Sequence, residues 1–123
     1  MENPHKGKTG FIRMWNAFHY SMSGLKAAYK HEDAFRQETM LAIIFIPLAL
    51  LLPLNGMAKA LLVGSILMVI IIELINSAIE ATVDRISFED HRLAKRAKDI
   101  GSAAVLIALI NAVVIWALVL SQK

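Results

Sequence analysis

Three long apolar runs constrain this chain more than anything else in it. Met40 to Leu54 (MLAIIFIPLALLLPL), Ala58 to Ile86 and Ile100 to Leu120 leave no room for a water-soluble core surrounded by polar surface. The last run is long enough to cross a bilayer unaided, since about 20 apolar residues suffice, and the first needs extra residues at its ends. Pro47 lies within the first run, where neighbouring helices can re-satisfy the backbone groups it frees. Pro53-Leu54-Asn55-Gly56 predicts a tight turn between the first two spans. The expected fold is therefore an all-α integral membrane protein with three transmembrane helices, built as one membrane domain over 1–123. Its expected spans are 34–54, 58–86 and 98–120. A 57% hydrophobic content and a mean hydropathy of +0.56 agree with that reading.

Lys and Arg residues set the orientation. Lys6, Lys8, Arg13, Lys26, Lys30 and Arg36 precede the first span. Arg85, Arg92, Lys95, Arg96 and Lys98 lie between the second and third, while Lys59 and Lys123 are alone on the other side. Eleven against two places the N-terminus in the cytoplasm and the C-terminus outside. The charged N-terminal region lacks an apolar h-region, so no cleavable signal peptide is expected. The net charge of +3 is too small to indicate nucleic acid. Ahead of the first span, Phe11, Trp15, Phe18, Met22, Leu25 and Tyr29 recur at steps of three and four. They predict an amphipathic helix over 8–31, suited either to the membrane interface or to packing against the bundle.

The second span carries the chemistry. At about 100° per residue, Glu73, Asn76, Ser77, Glu80 and Asp84 fall on one face of an otherwise apolar helix. Counting inward from Ala60 puts Glu73 about 20 Å deep, with Glu80 near the headgroups and Asp84 in water beyond. Interhelical hydrogen bonds in membranes average below about 1 kcal/mol, whereas a carboxylate at the bilayer centre costs about 2.5–3.5 kcal/mol. Stability alone explains Asn76 and Ser77 but explains Glu73 poorly. A buried carboxylate can serve as general base toward a membrane-embedded substrate, and one at the interface can hold a divalent cation. Glu32 and Glu38, at the cytoplasmic end of the first span, are candidates to complete that site. Lys98-Asp99 adds either a cation able to meet phosphate or a snorkelling lysine beside a solvated acid.

Several site types are missing. No P-loop, kinase Gly-rich loop, H-R-D, D-F-G or H-E-x-x-H motif occurs. His5, His19, His31 and His91 show no ligand spacing, and the absence of cysteine excludes disulfides and thiolate chemistry.

At AFRQE (34–38), ELINSAIEATVDRI (73–86) and AKDIGSAAVLIA (97–108) the chain resembles the small prokaryotic diacylglycerol kinase family, from about Gly10 to Trp116. The resemblance implies a homotrimeric enzyme of the bacterial inner membrane that transfers the γ-phosphoryl of Mg-ATP to diacylglycerol, making phosphatidic acid. It implies Glu73 as general base and Glu32 and Glu80 as carboxylates holding Mg²⁺. Nucleotide contacts would come from Arg13, Tyr20, Glu32, Glu80, Glu89, Asp90, His91, Lys98 and Asp99. Lipid contacts would come from Arg13, Ala34, Phe35, Arg36, Gln37, Glu38, Glu73 and Ser102, with Asn76 as a further polar active-site group. The chain departs from the family pattern at Leu51, Pro53 and Lys59 in the external turn, and at Asp90 and Lys95 in the loop.

Rival readings make different demands. An undecaprenol kinase would use the same polar core on another lipid. A small proton-coupled exporter would also use an intramembrane glutamate, yet would need neither interfacial metal carboxylates nor Lys98-Asp99. A non-enzymatic assembly subunit would have no use for Glu73.

Overall fold

The computed structural model describes residues 10–86 and 91–122. They form four helices: α1 (Gly10–His31), α2 (Asp33–Leu51), α3 (Gly56–Ile86) and α4 (His91–Leu120). Three of them are long and apolar enough to cross a membrane: 33–51, 56–85 and 92–120, with mean hydropathies of 1.5, 2.4 and 2.8. At about 1.5 Å per residue α2 reaches about 28 Å, just the hydrocarbon thickness, while α3 and α4 exceed it by several turns. The first two turns of α4 carry Arg92, Lys95 and Arg96, ahead of its apolar stretch.

Each helix boundary has a local cause. Glu32, with extended backbone (φ −117°, ψ 111°), separates α1 from α2. The orphan carbonyls at the end of α1 are met from α2: Arg36 Nη1 donates to the Tyr29 oxygen at 2.8 Å and to the Lys30 oxygen at 2.9 Å. The same guanidinium pairs with Asp33 one turn earlier, locking the α1–α2 corner. Beyond α2 the chain corrects the expected first span of 34–54, because the helix stops at Leu51. Pro53 lacks an N–H and disfavours a helical residue before it, and Leu52 is accordingly extended (φ −67°, ψ 148°). Leu54 N–H then donates to the Leu52 oxygen across Pro53 at 2.8 Å, a γ-turn. Asn55 closes the connection as a helix cap, its Oδ1 accepting from Ala58 N–H at 2.8 Å. Gly56 is thus already helical.

α3 is the central element, packed most extensively on α4 and next on α2. At the end near the α2–α3 turn, Ala49, Leu62 and Val119 are buried together. Val69, Ala108 and Ala112 form a second buried layer further along. Alanine supplies Ala49 in the first layer and Ala108 and Ala112 in the second, and such small residues let helix backbones approach closely where lipid supplies no hydrophobic drive. Only 17–22% of each apolar window is buried, so most of their Ile, Leu and Val side chains face outward, as lipid contact requires. On α1, Phe11, Trp15 and Phe18 are likewise exposed, and Ala28 alone among its residues is fully buried.

Between the two layers a polar clasp joins three helices. Trp116 Nε1 donates to Ser65 Oγ at 3.1 Å and to the Leu62 oxygen at 3.3 Å, and Phe45 meets the Trp116 ring edge-on at 5.4 Å. Trp116→Phe keeps most of the ring contact and removes the donor. It should lower stability by about 0.5–1.5 kcal/mol, the net worth of a hydrogen bond. Unfolding in detergent, with Ser65→Ala as the second arm of a double-mutant cycle, checks this; additive losses would show that the contact contributes nothing.

Candidate active site

One face of α3 gathers the polar groups. Glu73 is 5% exposed and Asn76 8% exposed, Glu80 is half-buried, and Asp84 is exposed near the helix end. The depth gradient read from the sequence is therefore also a burial gradient. The charges that bear on Glu73 are carboxylates: Glu38 on α2 first, then Glu80 on α3 and Glu32 at the α1–α2 break. Three elements thus converge on one anionic cluster. Like charges collected around a buried carboxylate are unfavourable by themselves. That makes the cluster a place for a cation or a reaction rather than for stability.

Asn76 links the cluster together. Its Nδ2 donates to Glu80 Oε1 at 3.3 Å, one helical turn on, while its Oδ1 is buried without a hydrogen-bond partner. On the far side, the α3–α4 contact closes with an ion pair. Lys98 Nζ lies 2.5 Å from Asp84 Oδ1. Asp99 is 2.6 Å from Lys95 Nζ, along α4 itself. Lys98 and Asp99, expected as a phosphate-meeting cation or as a snorkelling lysine beside a solvated acid, are each engaged in a separate ion pair. Successive residues on a helix point about 100° apart, and each finds a different partner. Asp84, expected to be simply solvated, is the anchor for Lys98.

Two cavities lie along α1, one of them reaching Glu32. A groove of about 670 Å³ runs between α1 and α3, lined by Gly24, Ala28, Glu32, Ser77 and Ala81 among others. A second, of about 710 Å³, opens between α1 and α2 and sets Leu25, Tyr29 and Phe35 beside the basic side chains of Lys26, Lys30 and Arg36. Both fall within the size range of ligand sites. Of the 34–38 stretch, Phe35 is buried, Glu38 belongs to the carboxylate cluster, and Arg36 is engaged at the end of α1. Ala34 and Gln37 are exposed.

Other expected site residues lie apart from the cluster. Arg13 and Tyr20 are exposed on α1, about 28 Å and 18 Å from Glu32 along the helix. Ser102 is exposed on α4. His91 opens α4, and Glu89 and Asp90 lie outside the described residues. No group of three or more His, Asp or Glu side chains positioned to hold a metal occurs among the described residues. Reading the sequence missed Gly101, which is buried against Asn76. Its signal was available: Gly101, Ala108 and Ala112 form a small-residue stripe on the face of α4 that meets α3.

Comparison with known proteins gives a consistent result. The family model for prokaryotic diacylglycerol kinase matches residues 19–120. A diacylglycerol kinase of Pseudomonas aeruginosa is 49% identical over 118 residues, covering 96% of each chain. That of Escherichia coli K12 is 49% identical over 112 residues, covering 91% of this chain and 92% of the relative. One from Helicobacter pylori 26695 is 46% identical over 115 residues, covering 94% and 89% respectively.

Proposed function

Because the chain belongs to the prokaryotic diacylglycerol kinase family, we propose that it phosphorylates diacylglycerol to phosphatidic acid, with ATP as donor, at the cytoplasmic face of the bacterial inner membrane. The observation that carries this reading is Glu73: a buried carboxylate in a membrane-length helix, facing other carboxylates from two further elements. A carboxylate placed there suits a hydroxyl presented from the bilayer, as that of a lipid is.

The burial of Glu73 supports the following step. Glu73 takes the proton of the lipid's free hydroxyl, whose oxygen forms a bond to the γ-phosphorus. The bond from that phosphorus to the β-bridging oxygen breaks, ADP leaves, and the proton passes from Glu73 to water. Glu32 and Glu80 would hold Mg²⁺, which binds proteins through one or two carboxylates together with phosphate oxygens. The fit is favourable: both are hard oxygen donors bordering one cluster, and Asn76 fixes the direction of the Glu80 carboxylate. Bound there, Mg²⁺ would neutralise phosphate charge. Lys98, tethered by Asp84, supplies a fixed cation at the same end of the bundle. Phosphoryl transfer asks mainly for such positioning and charge neutralisation, so no P-loop is required. The groove beside Glu32 and Ser77 has room for the nucleotide, and the α1–α2 cavity offers Leu25 and Phe35 to an acyl chain with Lys26, Lys30 and Arg36 around them.

Assembly and orientation complete the proposal. The outward apolar faces of the spans suit lipid on one side and two further copies in a homotrimer on the other, with α1 lying along the cytoplasmic surface. A reporter fused after Lys123 should register a periplasmic C-terminus, and residues 87–96 should be reachable only from the cytoplasm, given the eleven-to-two charge split. Labelling of that loop from outside intact cells would overturn this orientation.

Purified protein in detergent, offered labelled ATP with Mg²⁺ and either diacylglycerol or undecaprenol, tests the activity. Label is expected on diacylglycerol. Label on undecaprenol alone would reassign the substrate, and ATP turnover indifferent to both lipids would overturn the kinase reading.

A further inference from the structure

Among the described residues Gly101 stands apart from the other glycines. A Cβ built on Gly10, Gly24, Gly56 or Gly64 would meet nothing within 4 Å. At Gly101 it would lie 2.1 Å from Asn76 Oδ1, closer than side chains pack, and a tight 3.2 Å from Asn76 Cγ. Gly101 lies in the interior of α4, where glycine disfavours helix relative to alanine and nothing in an ordinary helical backbone calls for it. What the position gains from a missing side chain is the close approach of one carboxamide.

The orientation of that carboxamide is settled by chemistry. Asn76 turns its NH₂ toward Glu80, donating to a carboxylate oxygen at 3.3 Å, and so turns its own oxygen toward α4. The oxygen then sits in the notch at Gly101, buried and without a hydrogen-bond partner. Closing the notch would force the Asn76 side chain to rotate, and the hydrogen bond that aims Glu80 would be lost.

We infer that Gly101 is a positioning residue for the phosphoryl-transfer site: it admits Asn76 against α4 and so holds Glu80 in its metal-facing orientation. The inference rests on the proposed kinase reading. It assigns to α4 a role in nucleotide binding that is separate from the charge of Lys98.

Equilibrium binding of a non-hydrolysable ATP analogue with Mg²⁺, in detergent, tests it without reliance on turnover. Gly101→Ala should fold with an unchanged or higher Tm, since alanine favours the helix, yet raise the Kd for the Mg-nucleotide at least about tenfold. That is the scale of one lost hydrogen bond to a charged group. In an Asn76→Ala background the carboxamide is gone and the notch is empty, so adding Gly101→Ala should leave the Kd unchanged. Equal losses in both backgrounds, or normal binding by Gly101→Ala, would overturn the assignment. A Gly101→Ala protein that no longer folds would overturn it too, because the glycine would then serve helix packing alone. Failure of the unaltered protein to bind Mg-nucleotide would instead count against the kinase reading itself.

Discussion

Glu73→Gln is expected to lower kcat by about 10²–10⁴-fold, the usual worth of a general base. The substitution keeps the volume of the side chain and removes only its ability to take a proton. A buried glutamine in a span is also easier to accommodate than a carboxylate, so the protein should fold as well as before or better. Because Glu73 faces the deep, lipid end of the cluster, the concentration of ATP at half-maximal rate should change little. Rate measurements in mixed micelles, with unfolding measured alongside, separate the two effects. A Glu73→Gln enzyme with near-normal kcat would make the residue structural, and the proposed chemistry would lose its base.

Glu80→Gln should act on a different axis. Glu80 lies two helical turns from Glu73 on the same face, about 10 Å nearer the α3–α4 connection, with its carboxylate oriented by Asn76. Mg²⁺ binds through few carboxylates, so losing one ligand should both slow turnover and raise the Mg²⁺ concentration needed for half-maximal rate. Partial recovery at high Mg²⁺ is the signature expected of a ligand. Glutamine can replace glutamate as a hydrogen-bond acceptor for Asn76. If Glu80 were no more than that acceptor, the variant would keep its rate and its Mg²⁺ dependence.

The legible features were those carried by a single helix. Apolar runs of span length located α2, α3 and α4, and the 100° rule put Glu73, Asn76 and Glu80 on one face before any packing was known. What the sequence hid depends on where one helix meets another. Arg36 reaches back across the break at Glu32 to carbonyls six and seven residues away, a contact set by the corner and not by helical spacing. Lys98 pairs with Asp84 only because α3 and α4 are antiparallel neighbours in a particular register. Gly101 becomes meaningful only when Asn76 is seen to occupy the space beside it. The early end of α2 is a different case. Pro53 announced it, but Leu52 and Leu54 prolong the apolar run past the point where the backbone can remain helical.

The central claim is direct transfer of phosphate from ATP to a lipid hydroxyl at Glu73. The most direct measurement follows γ-labelled ATP with purified protein, Mg²⁺ and diacylglycerol, counting ADP, labelled phosphatidic acid and labelled protein in the same samples. The expected result is one phosphatidic acid formed per ADP, no label retained on the protein, and both products suppressed together in Glu73→Gln. ADP released without labelled lipid, or label transfer undiminished in Glu73→Gln, would contradict it.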